Sequence, residues 1–144
     1  MRPCEICGRP GQCHHIVFKS QGGMNIELNY AWLCNEHHTQ GEGAVHRCRS
    51  FDLLLKIRVQ RRLESLFREP EYGIPEVAKL VGCDRRRLAM RMRKVPKKCG
   101  KYLREDIIRF FMGGKLYTEL MPPQVERKTA GDPAEGFIFL EEQT

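Results

Sequence analysis

The most regular hydrophobic pattern of the chain lies in residues 51–67, where apolar side chains recur at the spacing of a helix. The repeating positions are Leu54, Leu55, Val59, Leu63 and Phe67. Four cations, Lys56, Arg58, Arg61 and Arg62, occupy positions between them. The pattern predicts an amphipathic helix with a buried apolar face and a basic face directed to solvent.

A second helical pattern follows a short break over residues 69–73, which contains a proline and a glycine. Residues 74–82 predict a short helix with a proline in its first turn and a glycine at its end. Asp84 can then cap a second helix over about residues 85–94, with Leu88 and Met92 turned inward. Two short helices joined by a tight turn predict a helix-turn-helix.

The N-terminal third lacks helical periodicity and is rich in glycine, cysteine and histidine. Two short apolar runs, residues 16–18 and 30–33, predict strands, and a glycine-rich loop separates them. Asn35 can cap a helix that starts near Glu36. The expected order is therefore strand, loop, strand, helix.

The charge of the chain indicates its class of partner. Lysine and arginine number 25 against 18 acidic residues, which gives a net charge of +7. Nucleic acid is the commonest partner of such a basic protein. Neither a long apolar run nor a signal-peptide pattern is present, so we expect no membrane contact. The seven cysteines are then expected in a reducing cytoplasm, as metal ligands or small packed side chains.

Two pairs of metal-ligand residues share one spacing: Cys4 with Cys7, and Cys34 with His37. Each pair can direct both ligand atoms at one ion, and two pairs complete a tetrahedral site. Zinc suits three sulfurs and one nitrogen, and four protein ligands leave no position for a substrate. These residues therefore predict structural Zn²⁺. A redox role for the first pair would need a thioredoxin-like context, which the sequence lacks.

A second, sulfur-free set is interleaved with the first: His14, His15, Asn29, His38 and His46. Imidazoles suit a divalent ion with open positions where a phosphate oxygen can bind. Neighbours in a strand face opposite sides, so the first two histidines share one site only where the strand ends or bulges. Otherwise one of them is a packed histidine. His46 lies too far along the chain to pair with His38 on one unbroken helix. Two roles for His46 stay open: a third metal ligand after a turn, or a contact with phosphate.

At this point the segment from residue 4 to residue 46 resembles the HNH, or ββα-metal, endonucleases. The form it resembles carries a zinc knuckle and is found in many phage and prophage proteins. The matching positions are His14-His15-Ile16, Gly22-Gly23, Asn29, Leu33-Cys34 and His37-His38. The family often has an acidic residue in place of His14 and a cysteine in place of His37. The resemblance implies a phage or prophage protein in a bacterial cytoplasm.

The resemblance also assigns roles to the histidine set. His15 would be the general base that takes a proton from the attacking water. His14 and His38 would hold the catalytic divalent metal, Mg²⁺ or Mn²⁺, with His46 as a candidate third ligand. Asn29 would orient the backbone around the general base. The implied activity is hydrolysis of DNA phosphodiester bonds.

The helices after residue 70 resemble an excisionase-type winged helix-turn-helix. That resemblance implies a second helix in the major groove and nearby lysines on phosphates. The candidate DNA-binding residues are Arg85, Arg86, Arg87, Arg91, Lys97, Lys98 and Lys101. Arg91 stands where such a unit usually has an apolar residue, so a helical cap with a solvated arginine face stays open as the alternative.

Together these features predict a small α+β (α/β) protein in four parts. Residues 1–50 form a ββα-metal nuclease module with structural zinc, and residues 51–69 form a linking helix. Residues 70–117 form the winged helix-turn-helix-like unit, and residues 118–144 form a tail. Within the tail, residues 136–140 could add an edge strand or dock on a protein partner.

Two other classes of function are compatible with the sequence. One is a non-catalytic DNA-binding regulator that keeps zinc for folding. The other is a phage-encoded interaction protein that inhibits a host system. The sequence also leaves open whether the chain forms a homodimer.

Overall fold

The computed structural model describes residues 2–117. It is a small mixed α+β protein with short two-stranded sheets and several helices. The predicted fold class is confirmed to this extent. The strands of the described part are β1 (Gln12–His15), β2 (Tyr30–Leu33), β3 (Glu71–Tyr72) and β4 (Tyr102–Leu103). The α-helices are α1 (Arg49–Leu66), α2 (Ile74–Val81), α3 (Arg85–Arg91) and α4 (Arg104–Phe111). None of these helices is long and apolar enough to cross a membrane. The predicted tail, residues 118–144, lies outside the described residues.

The described chain forms two compact units. One contains residues 2–16, 30–58 and Tyr117, and the other contains Val17–Asn29 and Val59–Leu116. The loop Val17–Asn29, which lies inside the predicted nuclease module, is thus grouped with the second unit. Helix α1 contributes to both units. The predicted boundaries at residues 50, 69 and 117 remain predictions.

The first unit contains the sheet of β1 and β2. The strands are antiparallel, and His14 pairs with Ala31 while His15 pairs with Tyr30. The predicted second strand is confirmed. The predicted first strand at residues 16–18 is wrong, because β1 precedes it and ends at His15. The side chain of Asn29 hydrogen-bonds the backbone N–H and C=O of Val17, so they are not engaged in strand pairing.

A single turn of π-helix, Glu36–Gln40, follows β2. Asn35 precedes it but makes no side-chain capping bond, so the predicted cap is wrong. Its Oδ1 instead accepts a hydrogen bond of 2.6 Å from Nε2 of Gln12. That bond ties the turn to β1.

Helix α1 begins two residues before the predicted helix and ends one residue earlier. Its apolar positions are buried as predicted, and Arg61 and Arg62 are exposed. The prediction for Lys56 and Arg58 is wrong, because both are buried. Each has a carboxylate partner: Nζ of Lys56 lies 2.9 Å from Asp52, and Nη1 of Arg58 lies 2.8 Å from Glu5. Partners of this kind let a cation lie on a helix face that the protein covers.

The second unit contains the predicted pair of helices. Helix α2 ends at Gly82, whose φ of 73° is in the left-handed region, and Asp84 accepts a hydrogen bond of 3.0 Å from the backbone N–H of Arg87. Both predicted caps are confirmed. Leu88 and Met92 are buried as predicted, although α3 ends three residues before the predicted end.

A small antiparallel ladder frames these helices. Strand β3 pairs with β4, and a tight turn just before β4 joins Lys98 to Lys101 through two backbone hydrogen bonds. Cys99 and Gly100, the central residues of that turn, have φ of 53° and 76°. Such values are typical of the mirror-image turn that suits a twisted hairpin. The turn lies between α3 and β4.

Helix α4 closes the core of this unit. Its buried residues Ile107, Ile108 and Phe111 are directed inward, and Phe67 stacks on Phe111. The guanidinium of Arg104 donates to the carbonyl groups of Glu64 and Phe67. These bonds satisfy carbonyls at the C-terminal end of α1, which have no partner within the helix.

Candidate metal centres

The four predicted zinc ligands lie together in the first unit. The ligand atoms of Cys4, Cys7, Cys34 and His37 are within 4.8 Å of one another. Nδ1 of His37 lies 3.6 Å from Sγ of Cys4 and 3.2 Å from Sγ of Cys34. Sγ of Cys7 lies 3.6 Å from Sγ of Cys34. Tetrahedral zinc with ordinary bond lengths places such atoms roughly 3.5 to 3.8 Å apart. This Cys₃His cluster could therefore hold a structural metal such as zinc.

Backbone hydrogen bonds shape the first half of this cluster. The N–H of Cys4 donates to the carbonyl of Arg9 at 2.6 Å, and the N–H of Gly8 returns to the carbonyl of Cys4 at 3.0 Å. This tight knuckle brings the two cysteines to the same point. Cys34 directly follows β2, and His37 lies in the π-helical turn, so the sheet and the turn supply the second half.

The thiols of the cluster differ in their tendency to ionise. Burial alone would raise the pKa of Cys4, but backbone hydrogen bonds from Cys34, Cys7 and Ile6 outweigh it and lower that pKa. A backbone hydrogen bond near Arg9 lowers the pKa of Cys7. Burial raises the pKa of Cys34. Two of the three thiols are thus biased toward the thiolate, the form that binds a metal.

Glu5 connects this knuckle to the rest of the first unit. Its backbone N–H donates to the carbonyl of Trp32 at 2.8 Å, and Oε1 accepts from the N–H of Trp32 at 3.1 Å. Oε2 accepts from Nη1 of Arg58, and Nη2 of that arginine lies 3.5 Å from the carbonyl of Tyr30. One carboxylate between the two cysteines therefore contacts both β2 and α1. This role of Glu5 could not be predicted, because nothing in the spacing of the sequence links Glu5 to Arg58.

A second cluster in the same unit consists of imidazoles alone. The ligand nitrogens of His14, His38 and His46 lie within 4.8 Å of one another. Nε2 of His38 is 3.1 Å from Nε2 of His46, and the ring of His14 lies 5.1 Å from each of the other two rings. Nitrogens bound to one ion at about 2.0 to 2.2 Å lie roughly 3 Å apart. The three residues thus fit one metal ion.

The backbone explains how His46 reaches this cluster from eight positions beyond His38. The chain folds back after the π-helical turn, where the N–H of Val45 donates to the carbonyl of His37 at 2.8 Å. The N–H of His46 donates to the carbonyl of His38 at 3.2 Å. His46 therefore lies beside His38 after a turn, and its role as a metal ligand stays a prediction.

The environment favours the neutral form of His14 and His38. Burial, reinforced by His38 and His46, lowers the pKa of His14 to about 3. Burial and His46 also lower the pKa of His38. Neutral imidazole is the form that binds a metal. Nδ1 of His38 lies 3.3 Å from Oε1 of Gln12, a contact that can fix the ring so that Nε2 faces the cluster. Gln12 is a further residue that the sequence analysis missed.

His15, the predicted general base, is not a member of this cluster. It is the last residue of β1, and its ring contacts that of its strand partner Tyr30 at 5.1 Å. Strand alternation accounts for the separation, because Gln12 and His14 share one face of β1 while His15 lies on the other. The structure thus brings together three of the predicted metal ligands and places the predicted base at the adjacent position, where the strand ends.

Asn29 is buried in the second unit, with 2% of its surface exposed. Its Oδ1 accepts from the N–H of Val17 at 2.7 Å, and its Nδ2 donates to the carbonyls of Val17 and Met24 at 3.0 and 3.1 Å. The amide therefore fixes both ends of the loop that begins two residues after His15. Gly23 is required here, since a Cβ would lie 1.8 Å from the carbonyl oxygen of Val17.

The candidate DNA-binding residues are all exposed in the second unit. Six of them lie at the start of α3 or around the tight turn before β4: Arg85, Arg86, Arg87, Lys97, Lys98 and Lys101. Arg91 differs from these, because its Nη2 donates to the carbonyl of Gly22 at 3.2 Å. An arginine at this helix position therefore has a packing partner in the loop Val17–Asn29.

Searches against families of known proteins, against curated proteins and against solved structures found no match. The chemistry of the two clusters and the exposed charge of the second unit are therefore the basis for inferring the function.

Proposed function

We propose that this protein is a divalent-metal-dependent DNA endonuclease of the HNH type. The observation that carries the proposal is the cluster of three imidazoles, His14, His38 and His46, next to a fourth histidine at the end of β1. Three protein ligands leave positions for water and a phosphate oxygen, unlike a closed site with four ligands. The Cys₃His cluster has four ligands, so we assign it to structural zinc.

In this proposal each residue has a defined task. His14, His38 and His46 would hold a divalent ion, which when bound would stabilise the charge that develops on the phosphate. His15 accepts the proton of the attacking water, a task for which histidine suits neutral pH. In this arrangement the scissile phosphate lies at the end of β1. There it is within reach of His14 on one face of the strand and His15 on the other. Asn29 acts as a positioning residue, because it holds the loop that follows His15.

The basic second unit supplies DNA affinity in this proposal. Its exposed arginines and lysines follow the pattern of a winged helix-turn-helix, with α3 directed at the major groove and the lysines at phosphates. The resemblance to HNH enzymes further implies products with a 5′ phosphate and a 3′ hydroxyl.

Incubation with supercoiled plasmid, with and without Mg²⁺ or Mn²⁺, tests the proposal. We expect metal-dependent conversion to open-circle or linear DNA. His15→Ala should abolish that conversion while gel-shift affinity and zinc content stay at the wild-type level. Full activity in a well-folded His15→Ala protein would reject His15 as the base.

A matched variant tests the metal ligands separately. His46→Ala should weaken activation by Mn²⁺, so that a higher Mn²⁺ concentration is needed for half-maximal cleavage, because one of three ligands is lost. An unchanged activation curve would remove His46 from the site. If wild-type protein shifts DNA but cleaves none in any metal, the non-catalytic regulator becomes the better description.

A further inference from the structure

Helix α3 carries a large apolar side chain on its exposed side. Met90 is 68% exposed, more than any other large hydrophobic residue among residues 2–117. Its neighbours on this short helix are mainly arginines, including Arg86 one turn before it. Phosphate contacts explain arginines but not a methionine in their midst.

Helical geometry defines which side chains share the outer face. Leu88 is fully buried, so it marks the inner face of α3. Each residue turns the helix by about 100°, so Arg86 and Met90, two positions away on either side, lie roughly opposite Leu88. Arg85 and Arg87 are then displaced by about 100° to the two flanks of this outer strip. The strip therefore consists of one guanidinium and one thioether, with a cation on each side.

This arrangement matches the chemistry of a major groove. Base edges lie along its floor, whereas phosphates line its two walls. An arginine pairs with O6 and N7 of guanine, and an apolar side chain contacts the C5 methyl group of thymine. Arg86 and Met90 are separated by about 6 Å along the helix, which corresponds to roughly two base-pair steps.

We propose that Arg86 and Met90 make the second unit a sequence-selective reader of duplex DNA, with Met90 seated on a thymine methyl group and Arg86 on a guanine within about two base pairs. Arg85 and Arg87 contact the flanking phosphates. This inference rests on the DNA binding included in the proposed function, and it names the substrate class as duplex DNA of defined sequence.

The test begins with the full-length His15→Ala protein, so that bound DNA is not cut. Binding sites are selected from a pool of random duplexes, and each thymine of the selected site is then replaced by deoxyuridine, which lacks only the methyl group. We expect one such replacement to weaken binding about fourfold, the value of burying one carbon group of this size. Replacement of thymines elsewhere in the same duplex is the internal control.

Met90→Ala, made in the same background, completes the test. This variant should bind the thymine duplex about fourfold more weakly and should no longer distinguish thymine from deoxyuridine at that position. The control is Leu80→Ala, which shortens an exposed apolar side chain on a different helix, α2. This variant should still distinguish thymine from deoxyuridine. Arg86→Ala should relax the preference for guanine.

Three results would overturn the inference. They are a selected pool without a shared sequence, an effect of deoxyuridine that is equal in both proteins, and preferred binding of single-stranded or branched DNA. Plasmid cleavage by the wild-type protein shows whether only the sequence-reading inference fails or the proposed nuclease function fails as well. Cleavage without sequence preference would retain the nuclease and reject the reader, whereas selective binding without cleavage would do the reverse.

Discussion

His37 and His38 are adjacent residues that belong to different clusters. His37 lies against the cysteine thiols, and His38 lies against the two other imidazoles. One π-helical turn therefore supplies a ligand atom to each site. Because the turn is short, the position of His38 depends on the same backbone that places His37. A metal in the Cys₃His cluster would fix that backbone.

Cys7→Ser tests this dependence. The variant should lose bound zinc and unfold at a lower temperature, because ligand binding contributes directly to the free energy of folding. Metal content by atomic absorption and a thermal melt provide the measurement. Cys99→Ser, which changes an exposed cysteine in the turn between Lys98 and Lys101, should keep full zinc content. Wild-type zinc content and melting in the Cys7 variant would refute the assignment.

At the residue scale, the sequence predicts candidate metal ligands better than it predicts the residues that support them. Cysteine and histidine spacing alone grouped Cys4, Cys7, Cys34 and His37. Glu5 and Gln12 were missed, because a carboxylate or amide that orients other groups carries no spacing signal of its own. The orientation of His15 likewise depended on where β1 ends, which the apolar run at residues 16–18 did not reveal.

At the scale of the elements, the helix α1 was predicted correctly, but the environment of part of its basic face was predicted wrongly. The periodicity of Leu54, Leu55, Val59 and Leu63 predicted the helix and its buried side. It could not show that the N-terminal part of α1 is covered on further sides, where Lys56 and Arg58 lie. Burial of a cation depends on a partner such as Glu5, 53 positions away from Arg58 in the chain.

Breaking that ion pair should be costly. Arg58→Met leaves Glu5 with one of its two partners and a partly buried charge, so we expect a loss of about 3 kcal/mol in the free energy of unfolding. Arg61→Met, which removes an exposed arginine from the next turn of α1, should change stability by less than about 0.5 kcal/mol. Urea denaturation measures both. A loss in the Arg58 variant no larger than that of the control would show that the pair contributes little.

The short helices α2 and α3 were predicted closely because their ends carry local signals. Gly82 and Asp84 act through their own backbone and side chain, independently of distant residues. The two-residue strands β3 and β4 carry no such signal, and their pairing depends on contacts between Glu71–Tyr72 and Tyr102–Leu103. Elements of two residues are too short for a hydrophobic period to define them.

At the scale of the whole molecule, the net charge of +7 predicts a DNA affinity that falls as the salt concentration rises. Each phosphate contact contributes about −0.9 to the slope of log K against log salt. Lys98→Ala should reduce the magnitude of that slope by about one, because one contact is lost. Titrations of one labelled duplex at several salt concentrations measure it. Arg62→Ala, at an exposed position of α1 outside the predicted contact set, should leave the slope unchanged, and an equal change in both would remove the turn from the interface.

The bond between Arg91 and Gly22 also sets an order of events during synthesis. The two residues are 69 positions apart, which corresponds to roughly 3 to 14 s of translation. Throughout that interval the loop that follows His15 exists without its contact on α3. The loop gains this contact only after α3, the helix that we propose reads DNA, has been synthesised. A chain that ends before residue 91 never acquires the contact.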